Sequence, residues 1–478
     1  MRLSMWLTAC LLLLSMHVYS LEQCQKACRQ GRQTPVCGGS LIKHCQKACR
    51  QGRQAFMVKE GLFDELDENS LGLDKAPGAE TFVVFTPSDT TNHFCNGVVI
   101  AAFKDVLYCM WQTSATGEDT PDTYVRYSRS YDGGKTWERS EVLALCPDTT
   151  VFYTSGGWIV SGDSLVALIN CWRTDTKPSG GSAWYMTSAD GIHWSKGLSP
   201  QTTDSRLRRE SDKTLSKGLS PQTTDLRPVL MADGSPMNGI IEQDPCRLAD
   251  DKGSATGGTP DKHCLISLPP QTGRLVGAAH FQPGLHVSPI YTDDAMGVSG
   301  WKKAEIPHCD DLSNPQSREL EPSLFVKSDS TIVMVFRDQN SSFRKLASMS
   351  YDRGETWTEI QLTDMPDSRS KQCAGNLPDG TAFLVGNPVT NKSRQILALT
   401  LSADGNMFDR AFLLRGKDEL APRRYEGKAK TIGYNYPKAM VYNGFLYVGY
   451  SENKEKVCVT RIKVSTLGIE PRTPTMSR

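Results

Sequence analysis

The sequence predicts an all-β protein, a six-bladed β-propeller built from four-stranded antiparallel blades. Three observations support this fold. Short strand-like runs alternate with Gly, Asp and Pro turns from Glu80 almost to Leu467. A turn motif of the form S-x-D-x-G-x-x-W returns along that region at blade-sized intervals. The 40 glycines and 26 prolines of the 478-residue chain are typical of a turn-rich β structure.

The turn motif occurs in full twice, as SYDGGKTW at 130–137 and as SYDRGETW at 350–357. Weaker copies start at 188, 292 and 402, so the successive starts lie 58, 104, 58 and 52 residues apart. In a full copy the acid can accept hydrogen bonds from turn N–H groups, the glycine supplies an unusual backbone angle, and the tryptophan fills the apolar side. We therefore predict structural roles for the acids Asp132 and Asp352.

The strands follow in order along the chain. Four strand-like runs precede the first motif, at 81–85, 96–103, 106–113 and 123–130. A hairpin of two apolar runs, 323–326 and 331–336, leads through a third run at 345–350 into the second full motif. The last set lies at 438–450 and 457–464. Five motifs and this last set make six blades, and we expect the first run to complete the final blade so that no edge is exposed.

The two ends of the chain carry separate predictions. Residues 1–20 combine an early arginine, an apolar core and a final small residue, which is typical of a signal peptide and too short for a membrane anchor. We assign 21–79 to a cysteine-containing, partly disordered segment, 80–467 to the propeller and 468–478 to a disordered tail. No later run is comparably apolar, so we expect a secreted, extracellular protein without a transmembrane segment.

Two ten-residue stretches occur twice with complete identity. CQKACRQGRQ stands at 24–33 and 45–54, and SKGLSPQTTD stands at 195–204 and 216–225. Structural repeats keep a pattern while their letters vary. Identical copies therefore indicate recent tandem duplication or an artefact of the gene model, and we place them in loops or tails.

Charge and cysteine spacing exclude several kinds of function. The formal net charge is +1, so no bulk field attracts nucleic acid or an acidic membrane. The 15 cysteines suit an oxidising compartment, but the C-x3-C pairs at 24–28 and 45–49 lack the partner pair of a standard zinc site. We predict disulfides or free thiols, no metal and no cofactor.

Three segments, together with the repeated turn motif, carry a resemblance to a known family. They are EPSLFVKSDSTIVMVFRDQ (321–339), NPVTNKSRQILALTLSADG (387–405) and YPKAMVYNGFLYVGY (436–450). They resemble the sialidase superfamily, the bacterial-neuraminidase-repeat proteins, over roughly 80–467. The resemblance implies that Glu321 is a base, that Arg337 and Arg394 clamp a sugar carboxylate, and that Tyr436 is the nucleophile.

The implied chemistry suits these residue types. Guanidinium groups hold a carboxylate through paired hydrogen bonds. A phenol is a poor nucleophile near neutral pH, so Glu321 has to take the proton of Tyr436. Tyr434 lies close enough in the chain to be confused with the nucleophile, and an ordinary structural ion pair of Glu321 with Arg337 is the alternative to a functional one.

The N-terminal part departs from the family pattern. The family's first arginine should fall near 94–97, where the sequence HFCNG has none. The acid/base aspartate should follow on the next strand, where Trp111 and Gln112 stand instead. Asp119 and Asp122 on the following loop are the candidates for that role.

His93 stands beside this gap and offers another chemistry. Its surroundings also resemble a branch of propeller enzymes in which a histidine serves the cleavage of uronate-linked sugars, and a histidine can act as general acid or base. Further substrate-binding candidates share strand ends or carry charge suited to an anionic sugar. They are Arg369, Asp244 and His280, with Glu242 and Lys371 beside them.

The sequence leaves three functions open. The first is an exo-α-sialidase-type glycoside hydrolase that removes a terminal acidic or acid-linked sugar through Glu321 and Tyr436. The second is a His93-based glycosidase or lyase acting on uronate-containing polysaccharide. The third is a non-catalytic carbohydrate-binding propeller. In each case we expect a monomer whose partner is a glycan rather than nucleic acid.

Overall fold

Six antiparallel sheets arranged in a closed ring form the body of the protein. The computed structural model describes residues 54–146, 149–175, 180–194, 226–248, 273–308 and 317–468. Each sheet is a blade of four strands, the first strand of the third blade being in two pieces, and the described residues contain no α-helix. The predicted six-bladed β-propeller is confirmed.

Blades I to III follow one another along the chain. Blade I consists of Phe94–Phe103, Val106–Ser114, Tyr124–Ser130 and Glu141–Ala144. Blade II consists of Val151–Ser161, Ser164–Arg173, Gly181–Ser188 and Arg227–Pro228. Blade III consists of the two pieces Gly239–Ile240 and Cys246–Arg247, then Leu275–Phe281, His286–Thr292 and Lys302–Lys303.

Blades IV to VI complete the ring. Blade IV consists of Glu319–Val326, Ile332–Asp338, Arg344–Ser350 and Gln361–Pro366. Blade V consists of Cys373–Asn376, Ala382–Gly386, Leu397–Ser402 and Arg410–Arg415. Blade VI consists of Tyr434–Tyr442, Phe445–Glu452, Lys456–Lys463 and Glu80–Phe85. Two short 3₁₀ helices occur among the described residues, Lys417–Glu419 and Val464–Leu467.

Blade VI joins the two ends of the propeller. Its outer strand, Glu80–Phe85, pairs antiparallel with Lys456–Lys463, so the first strand of the propeller hydrogen-bonds to its last. The inner strand Tyr434–Tyr442 packs against Phe94–Phe103 of blade I. A closed ring presents no unpaired inner edge to another chain. The predicted closure by the N-terminal strand is confirmed.

The repeated turn motif stabilises the outer turns of the blades. Asp132 accepts hydrogen bonds from the backbone N–H groups of Lys135 and Thr136 at 2.9 Å, and the indole of Trp137 donates to the carbonyl of Gly134 at 3.0 Å. Asp352 accepts from its own turn in the same way. Both acids therefore have the structural role that the motif predicts.

Bulges interrupt the inner strands where they reach one mouth of the ring. The strand registers shift between Leu320 and Ser323 in blade IV and between Asn435 and Lys438 in blade VI. Each shift contains a residue with left-handed backbone, Glu321 at φ 51° and Tyr436 at φ 54°, and each of these precedes a proline that cannot donate to the ladder. The bulges change the direction in which the side chains of Glu321 and Tyr436 point.

The segment before the propeller packs onto the outside of blades IV and V. Met57–Val58 pairs in parallel with Met407–Phe408, and Phe56 is buried with its ring 5.8 Å from Phe325 and 5.2 Å from Phe408. Residues 55–79 belong to the folded body, but they add no strand to a blade. The predicted domain boundary at residue 80 stays a prediction.

Several predictions fall on residues outside the described ranges. These are the signal peptide, the duplicated stretches, the cysteines before residue 54 and the tail after 468. Within the described ranges Cys95, Cys109, Cys373 and Cys458 are buried free thiols. In the same ranges no helix has the length and apolar character to cross a bilayer.

Candidate active site

A cavity of about 440 Å³ opens at the mouth where the bulges lie. Blades I, IV, V and VI contribute its walls. The charged and aromatic groups that line it are Glu118, Arg337, Arg369, Lys392, Arg394, Tyr436 and Lys454. Cations outnumber carboxylates on this lining, so the cavity suits an anionic ligand that carries polar groups.

Glu321, Arg337 and Tyr436 meet at the floor of the cavity. One guanidinium nitrogen of Arg337, Nη1, lies 2.8 Å from Oε2 of Glu321 and donates to the hydroxyl of Tyr436 at 3.4 Å. Burial and the neighbouring carboxylate of Glu321 raise the pKa of Tyr436 well above its usual value. The phenol is therefore neutral near pH 7 and needs a base before it can act as a nucleophile.

The unusual backbone of Glu321 has dedicated support. Its N–H donates to Nε2 of His280 at 3.1 Å, and its carbonyl accepts from the side-chain amide of Gln372 at 3.2 Å. Burial lowers the pKa of His280, so the ring is neutral and its Nε2 is free to accept. His280 was predicted to bind substrate, but the structure places it behind Glu321, 3% exposed, where it holds the bulge in place.

Three arginines converge on the cavity. Arg394 donates to the side-chain oxygen of Asn435 at 2.9 Å, and its guanidinium carbon lies 5.4 Å from the centre of the Tyr436 ring. Arg337 and Arg369 donate to the same oxygen of Gln339, at 2.8 and 3.3 Å. In the described parts of the chain, the buried Nε of Arg337 has no hydrogen-bond partner.

The two aspartates on the loop of blade I differ in their surroundings. Asp122 accepts the backbone N–H of Ala115 at 2.7 Å, which is a turn contact inside its own loop. Asp119 is exposed and follows Glu118, which lines the cavity; desolvation by the surrounding protein and the nearby Glu118 raise the pKa of Asp119 to about 6. A carboxyl group that still holds its proton near neutral pH can act as a general acid. Asp119 is the better candidate.

The two tyrosines at the start of blade VI also differ. Tyr434 is fully buried and donates to the carbonyl of Gly416 at 2.9 Å, so its hydroxyl is engaged in the core. Tyr436 faces the cavity, with Lys371 and Lys454 at 5.5 and 5.2 Å from its ring centre. The tertiary structure distinguishes the two candidates that the sequence left open.

The structure does not bring His93 to the cavity lining. Its ring stacks on Tyr425 at 3.8 Å with an 8° angle between the planes, and its Nε2 lies 3.2 Å from the carbonyl of Ser88. These contacts engage both the face and the edge of the imidazole on the outside of the mouth. The predicted role of His93 in chemistry therefore has no support from its position.

Asp244 is half-buried, in a layer of charged groups that do not line the cavity. Its carboxylate accepts the backbone N–H of Trp158 at 2.5 Å, and burial raises its pKa. In the same layer Lys371 pairs with Glu242 at 3.0 Å, and Lys438 donates to the carbonyl of Gly156 at 2.8 Å. Asp244 was predicted to bind substrate, but its position outside the lining suits a structural contact between blades.

The prediction missed Glu118, Gln339 and Lys454. Gln339 follows Arg337 in the hairpin and Glu118 precedes Asp119, but neither belongs to a recognisable pattern. Lys454 lies in the short turn between the second and third strands of blade VI, where a lysine is ordinary. Among the described residues no group of three or more His, Cys, Asp or Glu side chains is placed to hold a metal ion.

The chain is similar to known proteins in sequence pattern and in fold. A family model described as a BNR repeat-like domain matches residues 105–448. No curated protein sequence matches the chain. A solved sialidase matches with a TM-score of 0.53 and 15% identity, over 86% of this chain and 35% of that one, so the chain spans about a third of its length.

Two further solved structures match over most of both chains. The intramolecular trans-sialidase from Ruminococcus gnavus has a TM-score of 0.53 and 12% identity, over 84% of this chain and 100% of that one. The NanB sialidase from Streptococcus pneumoniae has a TM-score of 0.53 and 10% identity, over 80% and 71%. At such identities the likeness shows a shared fold.

Proposed function

The chain belongs to the BNR repeat-like domain family of the sialidase superfamily, and on that premise we propose that it is a glycoside hydrolase that removes a terminal acidic sugar from a glycan. One observation carries the proposal. A single nitrogen of Arg337 contacts both the carboxylate of Glu321 and the hydroxyl of Tyr436, at the floor of a cationic cavity.

The anionic group of the sugar binds to arginine. Arg394 reaches the cavity beside the Tyr436 ring, and Arg337 lines the same cavity. A guanidinium group binds a carboxylate through two parallel hydrogen bonds, which orients the sugar as well as attracting it. Arg369, held by Gln339, adds charge at the rim.

Cleavage proceeds through the phenol of Tyr436. As its oxygen attacks the anomeric carbon, Glu321 takes the phenol proton and Asp119 gives a proton to the departing glycosidic oxygen. The result is a glycosyl–tyrosine intermediate. Water then attacks the anomeric carbon, Asp119 takes the proton of that water, and the proton on Glu321 returns to the tyrosine oxygen. The phenol–carboxylate pair replaces the paired carboxylates of most glycosidases.

Export is part of the proposal. The pattern of residues 1–20 is typical of a signal peptide, and an enzyme that acts on terminal sugars of glycans would meet its substrates outside the cell. The substrate class proposed is a sialoside, because its carboxylate lies on the anomeric carbon next to the bond that breaks.

Replacement of the base tests the proposal. We expect Glu321→Gln to lower release of 4-methylumbelliferone from its α-sialoside by about 100-fold or more, since the amide cannot accept the phenol proton. Glu359→Gln, an exposed acid on the same blade, is the matched control and should keep full activity. Equal thermal unfolding midpoints would show that both variants fold.

The products separate the alternatives. A mass increase of one water per bond broken supports hydrolysis. A product that absorbs in the ultraviolet and disappears in His93→Ala would instead indicate elimination from a uronate-containing glycan. Activity that survives Glu321→Gln would reject the assignment of the base, and binding of glycans without any turnover would reject enzymatic function altogether.

A further inference from the structure

The clamp of the proposed active site lacks an arginine from blade I. The inner strand Phe94–Phe103 enters the mouth through Phe94, Cys95 and Asn96, and none of these can carry a positive charge. Gly97 follows with φ 60°, and a side chain there would meet Oγ of Ser155 at 2.5 Å. Gly97 therefore has no room for a side chain, and the three residues before it carry no cation.

Lys454 of blade VI reaches into this gap. Its carbonyl accepts the backbone N–H of Cys95 at 2.9 Å, so the turn that carries it is attached directly to the strand of blade I. Its ammonium nitrogen lies 5.9 Å from the ring centre of Phe94 and 5.2 Å from that of Tyr436. The side chain is only 3% exposed and lines the same cavity as Arg337 and Arg394.

Glu118 and Asn96 hold Lys454 in place. The two carboxylate oxygens of Glu118 accept from Nζ of Lys454 at 2.8 and 2.7 Å. The same carboxylate accepts from the side-chain amide of Asn96 at 3.0 Å. An ammonium group has three N–H donors, and Glu118 uses two of them among the described contacts. One donor is left without a described partner, on a buried cation that lines the cavity.

We propose that Lys454, oriented by Glu118 and Asn96, is the third cation of the anion site and takes the place of the arginine that blade I lacks. This inference rests on the proposed function, because it assumes that the cavity binds the carboxylate of an acidic sugar. Lys454 contacts the substrate. Glu118 and Asn96 act through Lys454 and are positioning residues.

A lysine in place of an arginine changes which ligands the site selects. A guanidinium fork demands a planar, two-oxygen partner, whereas an ammonium is a compact charge with one donor to spare. At this position the site therefore selects for the negative charge of the sugar acid more than for the orientation of its carboxylate. A neutral ester of the same sugar loses that charge and should bind poorly.

A kinetic comparison of Lys454 variants tests the inference. We expect Lys454→Met to raise KM for 4-methylumbelliferyl α-sialoside by about 10- to 100-fold, the range for loss of one charged hydrogen bond, with a smaller change in kcat. Lys454→Arg should recover most of the lost affinity. Lys463→Met removes an exposed cation of the same blade that does not line the cavity, and should change KM by less than threefold.

Binding without turnover separates this inference from the proposed function. In the full-length protein, calorimetry should show that N-acetylneuraminic acid binds more tightly than its methyl ester, and that Lys454→Met reduces this difference, since Arg337 and Arg394 remain. If Lys454→Met changes neither KM nor the preference for the acid over the ester, Lys454 has no role in binding the anion. The proposed hydrolysis is tested separately by Glu321→Gln. A wild-type protein that binds acid and ester equally would overturn the inference as well. Loss of folding in Lys454→Met without rescue by Lys454→Arg would make the lysine purely structural.

Discussion

Lys345 is the buried cation on which the support of Glu321 depends. Its ammonium donates to Asp367 at 2.6 Å, to the carbonyl of Ser370 at 2.7 Å and to the side-chain oxygen of Gln372 at 2.9 Å. All three donors are thus used, and Lys345 and Asp367 are only 5% and 1% exposed. Gln372 in turn holds the carbonyl of Glu321.

Lys345→Met would leave Asp367 charged and unpaired inside the protein. Removal of one partner of a buried ion pair costs about 3–5 kcal/mol, because the remaining charge loses its compensation without regaining water. We therefore expect the free energy of unfolding to fall by about that amount. The loss should appear as a lower urea midpoint in equilibrium unfolding followed by tryptophan fluorescence.

A surface pair provides the matched control. Lys417 contacts Glu68 at 2.9 Å, but the two side chains are 38% and 78% exposed. Exposed pairs contribute about 0–1 kcal/mol, so Lys417→Met should hardly move the midpoint. If Lys345→Met lost no more stability than Lys417→Met, the buried network would not be the support of the Glu321 bulge that its geometry indicates.

Two more predictions concern Asp119 and the bulge of blade I, where the register between its first two strands shifts between Asn96 and Val99. Because a general acid must be protonated and Asp119 has a pKa near 6, turnover should fall as the pH rises through about 6. Asp119→Asn should remove this fall in turnover with rising pH. It should also impair an alkyl sialoside more than an aryl one, because the aryl leaving group needs less protonation. An unchanged pH profile would reject Asp119 as the acid. Gly97→Ala should cost about 1 kcal/mol or more beyond Gly162→Ala, since both glycines have left-handed backbone but only at Gly97 does a new methyl meet Ser155. Equal melting temperatures of the two alanine variants would show that the bulge accommodates the new methyl group without loss of stability.

The fold was accessible from local sequence patterns. A turn motif such as 130–137 contains the acid, the glycine and the tryptophan that it needs within eight residues, so its structure is determined by neighbours in the chain. Repetition of that motif at regular spacing then implies repetition of the blade. The pairing of Glu80–Phe85 with Lys456–Lys463 followed from the requirement that a ring leaves no edge.

The site was accessible only in part. The hairpin from Glu321 to Arg337 lies within one blade, so its two charged residues could be paired from sequence. His280 and Asp244 were expected at the cavity because they stand at strand ends. A strand end does not reveal whether a side chain faces the mouth or the layer beneath it, and that direction depends on bulges formed with neighbouring blades.

The sequence by itself determined the repeated blade and the hairpin that carries Glu321 and Arg337, since these depend on contacts between near neighbours in the chain, and the count of blades then implied a closed ring. Only the tertiary structure decided that Tyr436 rather than Tyr434 faces the cavity, that His93 lies outside it, and that Lys454 reaches the gap in blade I. Those outcomes depend on how blade VI closes against blade I, where residues more than 300 positions apart come into contact. No local pattern carries that information.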